Sequence, residues 1–181
     1  MTPAERTRAH HGHLVRLVRN RLGAHVCKSA TALPGGDVFE VERTRLVEIL
    51  TFLKGDPDAD LSLLVDLTAI DRTPRTPRFE VRWQMRSARL GYRAHFIVHV
   101  DEDDAVIPSL VPQWAAAESL ERELYELLGI YPDGHPHLRP FLLYQDLVGH
   151  PLRRDYRAHK QQPLVPLMED ARPPAILEET P

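Results

Sequence analysis

Apolar residues recur every three or four positions in three stretches of the chain, a spacing that predicts amphipathic helices. The first predicted helix starts at Pro3, behind a capping box of Thr2 and Glu5, and ends near Leu22. The others are predicted over Arg43–Lys54 and residues 119–128, each followed by a glycine. The predicted inward-facing residues are Leu14, Leu17, Val18, Leu22, Leu46, Ile49, Leu50, Leu53, Leu120, Leu124, Leu127 and Leu128.

Four further segments have the composition of β-strands. Val38–Val41 follows a Pro-Gly-Gly turn, and Leu61–Ile70 is apolar enough to predict a central strand that is buried on both faces. Arg78–Arg86 and Tyr92–Val100 alternate apolar and polar residues. A turn near Gly91 predicts that these two strands pair as an antiparallel hairpin.

The order of these elements predicts an α+β fold. We expect two layers, with helices packed on one face of a mixed, mostly antiparallel sheet, followed by a short helix and a long extended C-terminal arm. We divide the chain into a docking domain (1–117), a helix-and-arm segment (118–156) and an extended or disordered tail (157–181). The arm has no sustained hydrophobic period, and two Gly-His-Pro triplets interrupt it. Because its backbone groups need partners outside the segment, we expect it to lie over another surface.

Composition narrows the class of protein. A length of 181 residues suits one domain with trailing segments, and a net charge of −3 gives no global basic field for nucleic acid. The single cysteine, Cys27, excludes an intrachain disulfide and a four-cysteine metal or iron–sulfur site made by this chain alone. No apolar run approaches the ~20 residues that cross a bilayer. The N-terminus lacks the apolar block of a signal peptide, so we expect a soluble, cytoplasmic protein.

One possible function is that of a stand-alone metal-dependent enzyme. Three histidines of the arm could form a metal site with Asp146: His135 and His137, which flank a proline, and His150 downstream. Glu123 and Glu126 could share a helix face as a carboxylate pair if they were buried. No phosphate-binding loop, nucleophile elbow or His-Glu-x-x-His motif is present. We favour a structural interpretation, in which each Gly-His-Pro is a turn whose imidazole binds backbone carbonyls.

A second possible function is nucleic-acid binding. Arginines surround the predicted hairpin, and the aromatic residues Phe79, Trp83 and Tyr92 lie among them. Single-strand binding needs exposed aromatic rings for base stacking. Here the alternation places the rings on the strand face opposite the arginines, so we do not expect a nucleic-acid partner.

A third possible function is that of a scaffold. Arg122 lies between Glu121 and Glu123 on the predicted helix, an arrangement suited to charge-assisted hydrogen bonds across an interface. Arg153, Arg154, Asp155 and Tyr156 offer similar groups at the end of the arm. Apolar residues along the arm would supply the anchors of an interface: Leu138, Phe141, Leu142, Leu143, Leu147 and Leu152.

Several motifs carry a family resemblance. ERELYELLGI (Glu121–Ile130) is followed by GHP (134–136) and by GHPLRRDY (149–156). Earlier in the chain stand VDLTAID (Val65–Asp71), RFEV (Arg78–Val81), VIPSL (Val106–Leu110) and Trp114. In combination these motifs, over about residues 60 to 156, resemble the thirty-kilodalton subunit of respiratory complex I, which is the C subunit of the bacterial NADH-quinone oxidoreductase.

The resemblance implies a non-catalytic subunit in the peripheral part of this proton-pumping complex. Its implied partners are the forty-nine-kilodalton type of subunit, which forms much of the quinone pocket (the quinone-site subunit), and neighbouring iron–sulfur subunits. The complex would use NADH, FMN, iron–sulfur clusters and quinone, while this chain would bind no cofactor and would have no active site of its own. The implied location is the cytoplasmic side of the cell membrane, which the chain would contact only through the complex.

The resemblance and the scaffold interpretation together predict interface or structural positions. They are Glu121, Arg122, Glu123, His135, Asp146, His150, Arg153, Arg154, Asp155 and Tyr156. The alternative is the homologous subunit of a membrane-bound nickel–iron hydrogenase or of a ferredoxin-dependent complex.

Overall fold

A five-stranded sheet forms the centre of the structure, a computed structural model that describes residues 12–144 and 147–157. Its strands are β1 (Cys27–Leu33), β2 (Gly36–Val41), β3 (Leu63–Asp71), β4 (Phe79–Arg86) and β5 (Arg93–Val100). Their order is β1-β2-β5-β4-β3, and every neighbouring pair is antiparallel except the parallel pair β2–β5. Two short parallel strands, β6 (Val106–Pro108) and β7 (Tyr131–Asp133), form a second sheet.

Three α-helices lie within the described residues: α1 (His13–Arg21), α2 (Leu46–Gly55) and α3 (Ala117–Leu128). Short 3₁₀ turns precede β1 (Ala24–Val26) and α2 (Arg43–Arg45). Helix α3 ends at Gly129, which has a φ of 71°. Glycine adopts this left-handed conformation at little cost, which explains why the helix stops there.

Helix α1 begins at a tertiary cap. The Asp37 carboxylate on β2 accepts hydrogen bonds from the backbone N–H groups of Gly12 and Val15, both at 3.0 Å. It thus satisfies two donors that have no partner within the helix. The prediction of one continuous helix from Pro3 to Leu22 is wrong, because Gly12 is left-handed (φ 69°) and separates His13 from what precedes it. The predicted capping box lies outside the described residues.

All three helices share one hydrophobic core with a single face of the sheet. On that face β4 contributes Phe79, Val81, Trp83 and Met85, and β5 contributes Ala94, Phe96, Val98 and Val100. The helices contribute Leu14, Leu17 and Val18, then Leu46, Ile49, Leu50 and Leu53, then Ala117, Leu124 and Leu128. The predicted α+β fold, with helices on one face of a mixed, mostly antiparallel sheet, is confirmed.

Two strand predictions need correction. β3 is an edge strand and not a central one, and its residues Leu63, Val65 and Ile70 are exposed. An apolar run shows that a segment can be buried, but its place in the sheet depends on pairings that the run does not encode. Strand β1 was not predicted; it pairs with β2 across the turn at Pro34–Gly35. β1 has no clean alternation, and most of its side chains are partly or fully exposed.

The predicted division at residues 117 and 156 stays a prediction. Helix α3, which begins the second predicted segment, shares the core of the first. The predicted tail lies outside the described residues apart from Arg157. Within the described ranges, no helix combines the length and the apolar character needed to cross a membrane.

Candidate functional site: α3 and the C-terminal arm

Helix α3 buries a glutamate on its inner side. Glu121 is fully buried and accepts hydrogen bonds from the Ser109 hydroxyl (2.7 Å) and the Leu110 backbone N–H (2.6 Å). Burial raises the pKa of Glu121, although these two hydrogen bonds and the nearby His135 oppose the shift. Glu121 therefore joins α3 to the loop that follows β6.

The C-terminal arm (residues 130–156) follows α3 and runs back along it. Glu126 of α3 is buried, and its two carboxylate oxygens accept hydrogen bonds from the backbone N–H groups of Leu142 (3.0 Å) and Leu143 (3.2 Å). One turn earlier, Arg122 donates to the Arg139 carbonyl (2.9 Å), and its guanidinium lies 4.5 Å from the centroid of the Phe141 ring. Glu123 points outward and is exposed. Glu123 and Glu126, which the spacing allowed to share a face, do not form a buried carboxylate pair, because only Glu126 faces the arm.

The first Gly-His-Pro turn also binds α3. The Nδ1 atom of His135 accepts a hydrogen bond from the His137 backbone N–H (3.1 Å). The ring must then carry its proton on Nε2, which donates to the Glu118 carbonyl (3.1 Å). Both nitrogens of His135 are thus engaged within the chain.

The second Gly-His-Pro segment completes the C-terminal end of α3. His150 Nδ1 donates to the Glu126 carbonyl (2.9 Å), and the Leu152 N–H donates to the Leu127 carbonyl (3.0 Å). Arg153 Nε donates to the Leu128 carbonyl at 2.6 Å. A helix leaves its last carbonyls without intrahelical partners and carries a partial negative charge there, which favours the Arg153 cation. The arm therefore acts as the C-terminal cap of α3.

The end of the arm is also fastened to the sheet through a buried arginine. Arg78 donates two hydrogen bonds to Asp71 (3.2 and 2.8 Å) and two to Asp155 of the arm (3.2 and 2.8 Å). A fifth goes to Glu102 at 2.6 Å. Arg153 lies 3.7 Å from the same Glu102 oxygen. These charge-assisted, bidentate contacts match the planar fork of guanidinium to carboxylates.

The electrostatics of this ion network favour its charged form. Burial on its own would raise the pKa of Asp71, but hydrogen bonds from Arg78, Thr73 and the Arg154 N–H outweigh it and hold that pKa well below its usual range. The Arg78 hydrogen bonds likewise lower the pKa of Asp155. Hydrogen bonds to Asp71 and then Asp155 raise the pKa of Arg78 above its usual value.

The remaining predicted positions lie at the margin of the network. Arg154 donates its backbone N–H to Asp71 (2.9 Å) and its guanidinium to the Thr73 carbonyl (2.7 Å). The Tyr156 N–H donates to the Arg153 carbonyl (3.1 Å). Asp146 lies outside the described residues. Their roles as interface positions stay predictions.

The hydrogen bonding of His135 argues against a metal site in the arm. A metal-ligating imidazole needs an unprotonated nitrogen with a free lone pair, and in His135 that lone pair already accepts a hydrogen bond. Over residues 12–144 and 147–157, no group of three His, Cys, Asp or Glu side chains is placed to hold a metal ion.

Sequence reasoning missed the centre of the network. Asp71, Arg78 and Glu102 were not among the predicted interface or structural positions. Glu126 was considered only as a possible catalytic carboxylate. A signal was present for three of the network residues, because Asp71 ends VDLTAID, Arg78 begins RFEV and Asp155 lies in GHPLRRDY. Motifs that carry one family resemblance but lie far apart in the sequence are candidates for contact in the fold.

The fold and these contacts define a class of protein: an α+β domain whose C-terminal arm is fastened to its own last helix and to one end of its sheet. Residues 39–162 match the profile of the respiratory-chain NADH dehydrogenase 30 Kd subunit. The chain belongs to this family, and the resemblance noted in its motifs is confirmed.

Relatives and solved structures agree with this assignment. The C subunit of NADH-quinone oxidoreductase from Brucella ovis is 37% identical over 145 residues, which cover 80% of this chain and 71% of that protein. The subunit of the same name from Caulobacter sp. strain K31 is 42% identical over 112 residues, covering 62% of this chain but only about half (52%) of that relative.

Among structures, a trypsin-resistant fragment of Nqo5 is 28% identical with a TM-score of 0.59, covering 70% of this chain and 99% of the fragment. A chain of an archaeal membrane-bound sulfane sulfur reductase shares the fold at 21% identity, with a TM-score of 0.67 and coverage of 81% and 85%.

Proposed function

We propose that this chain is a non-catalytic subunit of a proton-pumping NADH-quinone oxidoreductase, in which the C-terminal arm clamps the quinone-site subunit. The observation that carries the proposal is that the polar and the apolar side chains of the arm face different surroundings. Polar side chains such as His150, Arg153 and Asp155 bind the chain itself. In contrast, four apolar side chains of the arm are 45–59% exposed: Phe141, Leu142, Val148 and Leu152. Exposed apolar surface is typical of sites that dock on another protein, and these four residues fall within one stretch of the arm.

The energetics favour a prearranged docking surface. Covering the exposed half of a leucine or phenylalanine contributes on the order of 1 kcal/mol. Association must also offset the entropy lost when a flexible segment is ordered. The hydrogen bonds that Glu126 accepts from the arm and that Arg78 donates to it hold the arm against its own domain, so less of that entropy is lost on docking.

In this proposal the chain positions a neighbour and takes no part in electron transfer. Electrons would pass from NADH through FMN and iron–sulfur clusters to quinone in other subunits. The neighbouring iron–sulfur subunits would be further contacts, and the chain would reach the cytoplasmic side of the membrane only through the complex.

The test is affinity purification of the tagged chain from its native membranes, with identification of the co-purifying subunits. We expect a quinone-site subunit together with NADH-oxidising subunits. Hydrogenase or ferredoxin-linked subunits in their place would support the alternative complex. A purified chain that holds stoichiometric metal, lost on His135→Ala and His150→Ala, would support the stand-alone enzyme.

The clamp itself is tested by Leu152→Asp in the same purification. A charge at this exposed position leaves the core intact but opposes docking, so we expect at least fivefold less quinone-site subunit. Gly55→Asp is the control, because it adds the same charge at the exposed end of α2, outside the arm, where nothing lies within 4 Å of the added Cβ. Equal recovery with both variants would contradict the clamp.

A further inference from the structure

The sheet has a second face, opposite the helices, on which the strand registers align side chains into rows. At the β4–β5 turn, Arg86 lies directly opposite Arg93, and Leu63 of β3 lies opposite Arg86. On the other side, Gly36 of β2 lies next to Arg93, and Leu33 of β1 lies opposite Gly36. This end row (Leu33, Gly36, Arg93, Arg86 and Leu63) crosses all five strands, roughly 19 Å at the usual strand spacing.

The other end of this face is electrically balanced. Glu80 pairs with Arg72 (3.2 Å) and accepts a hydrogen bond from Arg82 Nε (2.6 Å). Glu40 lies 3.5 Å from His99, whose Nδ1 accepts a hydrogen bond from Arg72 (3.2 Å). Each charged group there has a partner within the chain.

The end row is not balanced in this way. Arg86 and Arg93 are both exposed, and across the described part of the chain neither forms an ion pair or a side-chain hydrogen bond. Of the nearest acids, Asp37 is buried on the opposite face, where it caps α1. The exposed Asp66 accepts a hydrogen bond from the Leu67 N–H and pairs with neither arginine. Like charges directly opposite each other destabilise a strand pair, so this arrangement costs the isolated fold stability.

The neighbouring row shows the same positive field. His95 is partly buried, and its pKa is lowered first by burial and then by the charges of Arg82 and of Arg93 from the end row. The row's ends are apolar, since Leu33 and Leu63 are 47% and 45% exposed. The surface therefore presents two unpaired cations between two exposed aliphatic side chains.

We propose that this end row is a docking site for an extended segment of another protein subunit, with carboxylate side chains at its centre and apolar side chains at its flanks. Carboxylates would supply the charge that Arg86 and Arg93 lack, and the leucines would cover the flanks. Nucleic acid fits less well, because Phe79 and Trp83 face the core and offer no ring for base stacking.

This site lies at the opposite end of β4 from Arg78, so the contact is separate from the clamp. It rests on the proposed function only in that the partner is a subunit of the same complex. One face of the domain would thus bind a second neighbour while the arm binds the first.

Arg86→Glu separates docking from folding. In the full-length chain the new carboxylate faces Arg93, so we expect the midpoint of urea unfolding to stay the same or rise. In the membranes the variant should repel the acidic partner, and we expect its incorporation into the complex to fall at least fivefold. Arg75→Glu, the same charge change on an exposed loop outside the row, is the control and should assemble normally. Normal assembly of Arg86→Glu would overturn the docking site.

Cross-linking identifies the occupant. Arg86→Lys or Arg93→Lys in the assembled complex, treated with a zero-length carbodiimide, should form an amide bond to an Asp or Glu of another subunit. Arg75→Lys should not form that bond. Cross-links only to residues 158–181 of the same chain would show self-docking and overturn the proposal. A wild-type chain that co-purifies with no other subunit would overturn the proposed function itself, whereas normal assembly without these cross-links overturns only the docking site.

Discussion

Arg78 donates hydrogen bonds to three carboxylates from three separate parts of the chain: Asp71 at the end of β3, Glu102 after β5 and Asp155 in the arm. The Asp71 side chain is only 2% exposed, so it depends on this cation for its charge balance. A buried ion pair adds little stability compared with an apolar pair, but losing one partner leaves an uncompensated charge in the interior. The main contribution of Arg78 to stability is therefore that it prevents Asp71 from being an unpaired buried charge.

Replacing Arg78 by methionine should destabilise the fold strongly. Methionine keeps much of the side-chain volume but leaves Asp71 without its charge partner, and we expect a loss of about 3–5 kcal/mol in the free energy of unfolding. Urea denaturation of the full-length chain measures it. Arg82→Met is the control, because Arg82 is half-exposed and should cost no more than about 1 kcal/mol. Similar losses in both variants would show that Asp71 does not need Arg78.

At the scale of elements, α3 and the C-terminal arm complete each other. The helix offers the Glu126 carboxylate and its last carbonyls, and the arm supplies the N–H groups, an imidazole and a guanidinium that bind them. Neither segment has a full set of hydrogen-bond partners alone. The arm thus acquires a defined course from α3, although it has no regular secondary structure beyond β7 in its described part.

Glu126→Ala should loosen the arm locally. Hydrogen bonds to a charged acceptor contribute about 1.5–3 kcal/mol. We therefore expect the amides of Leu142 and Leu143 to exchange with solvent at least tenfold faster, as measured by hydrogen–deuterium exchange. Glu123→Ala, on the exposed side of the same helix, should leave both amides unchanged. Unchanged exchange in Glu126→Ala would mean that the carboxylate does not hold the arm.

At the scale of the whole molecule, two buried carboxyl groups make stability depend on pH in opposite directions. The folded chain holds the pKa of Asp71 well below its usual range, whereas it raises the pKa of Glu121. Below a pH of about 4–5 the unfolded chain takes up the Asp71 proton before the folded chain does. Stability from this group is therefore present above that range and is lost on acidification.

Asp71→Asn should flatten the acid side of the stability profile. The variant is less stable than the wild type at pH 7, and the difference should shrink as the pH is lowered towards 2, because the wild type loses this contribution on protonation. Urea denaturation at a series of pH values measures both curves. A difference that stays constant with pH would show that Asp71 does not titrate in this way.

Glu121→Gln should show the opposite trend. Folding raises the pKa of Glu121. The wild type therefore loses stability from this group as the pH rises above about 4.3, the pKa of a glutamate in the unfolded chain. Glutamine can still accept the Leu110 N–H and bond Ser109, so the variant should gain relative to the wild type between pH 4 and 7. If the gain is instead largest at acid pH, the carboxyl group is not disfavoured by burial.

Much of the architecture was predictable because it depends on local periodicity. The alternation in Arg78–Arg86 and Tyr92–Val100 predicted β4 and β5 and their hairpin, and the helical spacing of Leu46, Ile49, Leu50 and Leu53 predicted α2. The site was less predictable. Glu121 and Glu126 occupy polar positions of the helical pattern, which does not show whether they are buried. Both are buried, because the loop after β6 and the arm cover the sides of α3 on which they lie.

The sequence by itself determined the family, the fold class and most of the elements, since side-chain period and motif order are properties of the chain read along its length. Only the tertiary structure decided that β3 lies at the edge, that the arm caps α3, and that Asp155 meets Arg78 from 77 residues away. Pairings at that distance depend on how the elements pack together. The local sequence around a residue therefore does not determine which charged group will lie beside that residue in the folded chain.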